Sequence, residues 1–260
     1  MKIATFNING IKARAEALAG WLGRAAPDVA VLQEIKSVDE AFPREDLEAM
    51  GYRVETHGQK GFNGVAILSR LPLEDIRRGL PGDPADDQAR WIEARVLGQG
   101  RPVRVAGLYL PNGNPMPGPK FDYKLAWMAR LRVRAAELLA TEEAVVLGGD
   151  YNVIPEPADA KKPEAWLGDA LYSPEARQEF HRLLWMGFTD AVRQRMPGEG
   201  VYTFWDYQAG AWQRNNGIRI DHLLLSAQAA DRLDDAGIDR DERAGDKPSD
   251  HVPVLVRLRG

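Results

Sequence analysis

Residues 144–152 read Ala-Val-Val-Leu-Gly-Gly-Asp-Tyr-Asn. A short apolar run without polar alternation is the mark of a strand covered on both faces. This one ends abruptly on two glycines, a carboxylate and an amide. No Gly-Lys-Ser/Thr follows Gly149, so the turn is not a phosphate loop. Working outward, the same arrangement recurs. Lys2–Asn7 alternates and then reaches Asn7-Ile8-Asn9-Gly10, and Asp28–Leu32 runs into Gln33-Glu34. Val103–Leu110 is followed by Pro111-Asn112. Arg219-Ile220-Asp221 sets an acid inside an apolar strand, and Ser249-Asp250-His251 precedes the last one.

Side chains at strand ends are held rigidly by the sheet behind them, which is where chemistry tends to be placed. Asp, Glu and Asn from several strands can converge there and suit one or two hard divalent ions, which leave positions free for phosphate oxygens. Taken singly, each piece also has a bland reading. Glu34 reads as an exposed acid after a strand. Asn7 and Asn9 read as turn residues. His251 reads as a surface histidine, and Tyr109, Phe204 and Trp205 read as core aromatics. Asp221 is harder to set aside. An acid among Ile218, Ile220 and Leu223–Leu225 is buried and needs a partner, and His251 is the natural one. A carboxylate on imidazole orients the ring and supports general-base work.

The rest of the chain mixes strands and helices. Ile11–Arg24 reads as a helix with Ile11, Leu18, Trp21 and Leu22 as its apolar positions. Asp122–Ala140 is the clearest helix, with Leu125, Met128, Leu131, Ala135, Leu138 and Leu139 at helical spacing. Pro174–Trp185 reads as a further helix. Strands are expected at Tyr52–Thr56, Gly64–Ser69, Trp91–Leu97, Tyr202–Asp206, Ile218–Ser226 and Val252–Leu258, with a hairpin turn around Gly98-Gln99-Gly100. Loops are expected from Pro111 to Pro119 and from Tyr151 to Leu171. No repeat, low-complexity segment or linker interrupts the pattern, so residues 1–260 are expected to form one α/β domain.

Composition narrows the chemistry. The 260 residues include no cysteine, which excludes disulfides, thiolate metal sites and a cysteine nucleophile. Four histidines and no H-E-x-x-H argue against a multi-histidine zinc site and for a metal held by carboxylates and amides. No apolar run reaches the roughly 20 residues of a membrane span. The first residues carry no long apolar segment of the export type, and a cytoplasmic location is the expectation. The net charge of −4 runs against the basic character common in nucleic-acid binders. A basic face is compatible with it, because the local field matters more than the sum.

Seven motifs, in order, carry a resemblance. They are T-F-N-I-N-G-I-K-A-R from residue 5, L-Q-E-I-K around Glu34, Y-L-P-N-G from Tyr109, G-D-Y-N around Asp150, T-F-W-D-Y from Thr203, I-R-I-D-H-L-L from Ile218 and S-D-H-V-P-V from Ser249. Together they resemble the exonuclease III / abasic-site endonuclease family of the endonuclease–exonuclease–phosphatase superfamily, over nearly the whole chain. The stretch P-N-G-N-P-M-P-G-P-K-F-D-Y-K-L-A-W looks like its bacterial branch.

The resemblance implies a four-layered α/β/β/α sandwich of two packed, mostly antiparallel sheets with the active site at one edge. It implies an Mg²⁺-dependent phosphodiesterase, with Mn²⁺ as substitute. Such an enzyme hydrolyses duplex DNA 5′ to abasic sites and trims 3′ ends, leaving a 5′-phosphate and a 3′-hydroxyl. By matching position, Glu34 is the principal metal ligand, with Asn7 and Asp250 nearby and Asp150, Asn152 and His251 bordering the metal. Asp150 orients or deprotonates the attacking water, Asn152 binds a phosphate oxygen, Tyr109 contacts the scissile phosphate, and Asp221 pairs with His251.

Lys12, Arg14 and Asn112 are candidate DNA contacts, while Phe204, Trp205 and Ile218 are candidates for lining a pocket for the abasic sugar. Two positions depart from other branches. Ile218 stands where some members carry tryptophan, and Asn9 where others carry aspartate. A monomer acting on DNA, without membrane or obligate protein partner, is the expectation. The alternative is a superfamily relative acting on a non-DNA phosphate ester such as an inositol phosphate or sphingomyelin. A non-catalytic nucleic-acid binder that kept the fold would have lost a ligand or the histidine, and neither is missing.

Overall fold

The computed structural model of the protein describes residues 1–98 and 100–260. Gln99, and with it the expected turn at 98–100, lies outside the described residues. The first sheet holds β1 (Lys2–Asn7), β2 (Val29–Gln33), β3 (Arg53–His57), β4 (Val65–Ser69), β11 (Leu233–Ile238) and β12 (Val254–Leu258), in the order β11-β12-β1-β2-β4-β3. The second holds β5 (Leu73–Arg78), β6 (Trp91–Val96), β7 (Val103–Tyr109), β8 (Ala144–Asp150), β9 (Thr189–Asp190) and β10 (Asp221–Leu225), in the order β5-β6-β7-β8-β10-β9. Among the described residues, only the β1–β2 and β7–β8 pairs are parallel.

Strand periodicity builds the layers, because successive side chains point to opposite faces. Ile3, Val29, Val31, Val105, Val146 and Leu223 meet between the sheets. Ala4, Phe6, Ala30 and Leu32 turn outward, under α1 (Ile11–Ala25) and α2 (Arg44–Ala49). Ala106, Leu108, Val145 and Leu147 turn outward on the other side, under α3 (Pro119–Leu139) and α4 (Pro174–Trp185). The result is the α/β/β/α sandwich implied by the resemblance. Short helices α5 (Ala191–Arg195) and α6 (Ala227–Ala230) close the end near β9–β11.

Among the described residues, three unforeseen strands, β5, β9 and β11, all lie at sheet edges. Leu-Glu-Asp-Ile-Arg-Arg in β5 has four charged residues of six, and its pairing is interrupted between Glu74 and Arg77. Charge and irregularity protect an edge from further pairing, and they also erase the alternation that announces a strand. Three expected strands shrink. Tyr202–Asp206 forms only isolated bridges from Phe204 to Ile218 and His251. Arg219 donates its amide to Asp159, and the Ile220 amide donates to Thr203 Oγ1, so regular pairing of β10 begins at Asp221. β12 begins after Pro253, which has no N–H to give the ladder.

Helix α3 buries Met128, Leu131, Ala135 and Leu138 as expected, but its apolar face is wider toward the start of the helix. Its buried face also takes in Phe121, Lys124 and Trp127, while Leu125 and Leu139 are only half-buried.

Candidate active site

The side chains that flank the seam between the sheets become polar where that seam ends. In β1 the inward set is Ile3, Thr5, Asn7. In β7 it is Val103, Val105, Gly107, Tyr109; in β8, Ala144, Val146, Gly148, Asp150; and in β10, Leu225, Leu223, Asp221. Parallel pairing brings Tyr109 beside Asp150, and antiparallel pairing brings Asp221 beside it from the other side. Gly148 lets the sheets approach closely here. A Cβ on it would stand 2.8 Å from Leu223 Cδ2 and 3.3 Å from Val31 Cγ2.

Contacts then cross from sheet to sheet. The Asn7 amide donates to Glu34 Oε1 and to Asp150 Oδ2, each at 2.9 Å. Glu34 and Asn152 follow their strands in the left-handed backbone region, with φ of 50° and 47°. Few non-glycine residues adopt it, and such strain tends to gather at functional sites. Asp150 Oδ1 accepts from the backbone N–H of Asn152 at 2.9 Å. His251 sits with Nδ1 at 2.8 Å from Asp221 Oδ2 and Nε2 at 3.7 Å from Asp150 Oδ2. Thr203 Oγ1 accepts from the Ile220 and Asp221 amides, and Ser249 Oγ donates to the Asn7 carbonyl.

Electrostatics follow from that packing. Burial opposes the charge on Glu34, but the Asn7 amide, Lys36 (3.0 Å from Oε2) and His251 outweigh it and hold the carboxyl below its ordinary value. Burial lifts Asp150 to about 7 against the pull of His251, with Asp221 and Glu34 adding to the rise. Burial opposes protonation of His251, but Asp221 and Asp150 raise it to about 10. Burial and the carboxylates of Glu34 and Asp150 push the Tyr109 hydroxyl well above its ordinary value, while the Arg90 guanidinium lies 4.8 Å over its ring.

One donor atom from each of Glu34, Asp150 and His251 falls within 4.8 Å of the others. Two carboxylate oxygens in that set match a hard divalent cation. Asp250 is turned aside, its Oδ1 accepting from the Asn9 amide at 2.9 Å, and Asn9 Oδ1 accepts from Lys36 at 2.5 Å. Asn9, where other branches carry aspartate, thus joins two charged side chains beside the cluster.

The expected DNA contacts separate. Lys12 and Asn112 are exposed, and Asn112 reaches Asn152 Oδ1 at 3.3 Å. Arg14 donates to the Asn9 carbonyl and, at 2.9 Å, to the Tyr207 hydroxyl, so it braces this loop. Trp205 is a correction. It is fully buried, packs on Tyr202, Trp212 and Val252, and gives its ring N–H to Asn215, so it offers DNA no surface. Ile218 is likewise buried, among Ile154, Ala160, Leu171 and Ile220. Of the three, only Phe204 is partly open, with its ring 5.0 Å from that of His251.

Lys36, Arg90, Lys124, Thr203 and Ser249 escaped the sequence reading as site residues. Lys124 left one signal there, a lysine on the buried face of an amphipathic helix.

Residues 4–251 match the profile of the Endonuclease/Exonuclease/phosphatase family, and the chain belongs to that family. Within it, the protein is 37% identical to exodeoxyribonuclease III of Haemophilus influenzae over 267 aligned residues, covering all of both chains. It is 40% identical to the 3′ phosphatase NExo from Neisseria, solved with a product DNA hairpin, at a TM-score of 0.96 over all of both chains. An AP endonuclease from Archaeoglobus fulgidus matches at 36% identity and a TM-score of 0.94 over 99% of each chain.

Proposed function

We propose that this protein is an Mg²⁺-dependent DNA-repair phosphodiesterase, with Mn²⁺ as substitute, that incises duplex DNA 5′ to abasic sites and processes 3′ ends. The observation that carries the reading is the Asn7 amide, which joins Glu34 of one sheet to Asp150 of the other within reach of His251 and Tyr109. Full-length relatives named as exodeoxyribonuclease III and AP endonuclease, and one solved with product DNA, support the choice of substrate.

Glu34 and Asp150 would hold the cation, with Asn7 orienting both carboxylates. When bound, such an ion polarises the phosphoryl group and stabilises the departing oxygen. Asp150, its Oδ2 held by the Asn7 amide, takes the proton of a water that attacks phosphorus in line with the leaving 3′-oxygen. One O–P bond forms and the P–O3′ bond breaks. Tyr109, kept protonated by its surroundings, supplies the proton to the departing 3′-oxygen. His251, held as imidazolium by Asp221, has donors at both ring nitrogens and neutralises charge on the phosphate. Asn152 and Asn112 present amides to the other phosphate oxygens. The active form is a monomer.

The test is an end-labelled duplex with one abasic-site analogue beside an intact duplex, each with Mg²⁺ and with chelator. A metal-dependent nick 5′ to the lesion is the expected result, and a 3′ ladder on both duplexes would make 3′-exonuclease the main activity. No cleavage in any lane, with turnover of an inositol phosphate instead, would overturn the choice of substrate. Glu34→Gln should lower kcat at least about a hundredfold while the protein stays folded.

A further inference from the structure

Lys124 has no solvent exposure, although it lies in α3 between the apolar anchors Phe121 and Trp127. A buried ammonium is costly and needs a return from its hydrogen bonds. Its Nζ donates to the Asn112 carbonyl at 3.0 Å and to the Asn152 carbonyl at 2.6 Å. These residues lie on separate loops, one leaving β7 and the other β8. The parallel ladder between the two strands has already ended at Tyr109 and Asp150, so no strand is there to pair with either carbonyl.

The side chains above the lysine are tied in the same way. The Asn112 amide donates to Asn152 Oδ1 at 3.3 Å, and the Asn152 amide donates to the Leu110 carbonyl at 2.9 Å. Gly113, at φ +92°, closes the first loop over the lysine stem, where a Cβ would stand 2.6 Å from Lys124 Cδ. The lysine touches neither cluster carboxylate; its hydrogen bonds go to the loops that carry the two asparagines.

We propose that Lys124 is a positioning residue for phosphate binding, its buried amino group locking the Asn112 loop to the Asn152 loop so that both asparagine side chains meet one phosphate. This rests on the phosphodiesterase reading of the site. A side chain of equal bulk without the amino group would fill the space and leave two carbonyls without donors.

The chain has no cysteine, so Lys124→Cys carries a single thiol. Alkylation with 2-bromoethylamine in denaturant, followed by refolding, restores an ammonium at lysine length. Wild-type protein taken through the same cycle is the control. Lys124→Met should lower kcat on abasic duplex at least about tenfold, with KM within about threefold of wild type. Lys124→Cys should be equally slow, and its aminoethylated form should recover most of the rate. Hydrogen exchange at residues 110–114 and 151–154 should quicken in Lys124→Met, with the rest of the protein unchanged. Wild-type kcat in folded Lys124→Met would overturn the proposal, as would a refolded aminoethylated protein no faster than Lys124→Cys. If wild type cleaves no DNA, the reading of the site fails separately. Exchange then decides Lys124 on its own, and unchanged exchange at the two loops overturns the lock.

Discussion

His222 and His251 are both buried beside aspartates, yet their surroundings drive them to opposite charge states. His222 Nδ1 lies 3.0 Å from an Arg219 N–H, and its Nε2 lies 3.1 Å from the Val153 carbonyl. The ring therefore accepts at one nitrogen and donates at the other, the pattern of neutral imidazole. Burial and Arg219 pull it down to about 4 against Asp190 and Asp159. Its folded value lies below the unfolded 6.5, so the unfolded chain binds the extra proton between those limits. Stability is therefore present above about 6.5 and is lost as pH falls toward 4, by on the order of 3 kcal/mol. His251, raised by Asp221 and Asp150, behaves in reverse. Its contribution is complete below about 6.5 and fades as pH climbs through about 10. Denaturant unfolding at pH 7 and pH 4.5 should show His222→Gln losing less stability on acidification than wild type. Equal losses in the two proteins would show that acid acts elsewhere.

At the level of elements, a buried ion network fastens the loops beside the site to the sheet. Arg219, just before β10, holds Asp159 at 2.7 Å and Asp190 at 2.7 Å, and Arg193 of α5 also reaches Asp159. One guanidinium thereby joins the 157–159 turn, the start of α5 and the strand that carries Asp221. Arg219→Met would leave two acids buried without their main partner, and a loss of about 3–5 kcal/mol in unfolding free energy is expected. A loss below about 1 kcal/mol in chemical denaturation would mean that Arg193 compensates. Much of this level was legible beforehand. The Pro174–Trp185 helix and the central strands announce themselves by periodicity and bulk. The edge strands β5, β9 and β11 and the burial of Lys124 do not, because charged edge residues carry no alternation and a buried lysine counts as polar in any pattern.

Over the whole molecule, charge is close to balanced, with 34 Lys and Arg against 38 Asp and Glu. Some of the cations are spent on internal pairs: Arg104 with Asp75 and Glu143, Arg134 with Glu93, and Arg130 with Asp86. Of the candidate DNA contacts only Lys12 and Arg14 are cationic, so salt should weaken substrate binding only moderately. Raising salt from 50 to 200 mM should increase KM for duplex DNA about tenfold, as for two neutralised phosphates. A KM insensitive to salt would argue against contacts by charged groups. No helix among the described residues is long and apolar enough to cross a membrane.

The sequence by itself determined the composition of the site. Asn7, Glu34, Tyr109, Asp150, Asp221 and His251 each stand at or beside the end of an apolar run, and a local pattern suffices to find them. What they touch was decided only by the tertiary structure. Asn7 and Asp150 are separated by 143 positions, and they meet because the inward parity of β1 and β8 and the small Gly148 bring two sheets together at one edge. The same packing buried Trp205 and Ile218, turned Asp250 toward Asn9, and set Lys124 beneath two loops. Periodicity reports which face of an element is covered. The partner on that face depends on chain segments far away in sequence, and only the assembled layers bring those together.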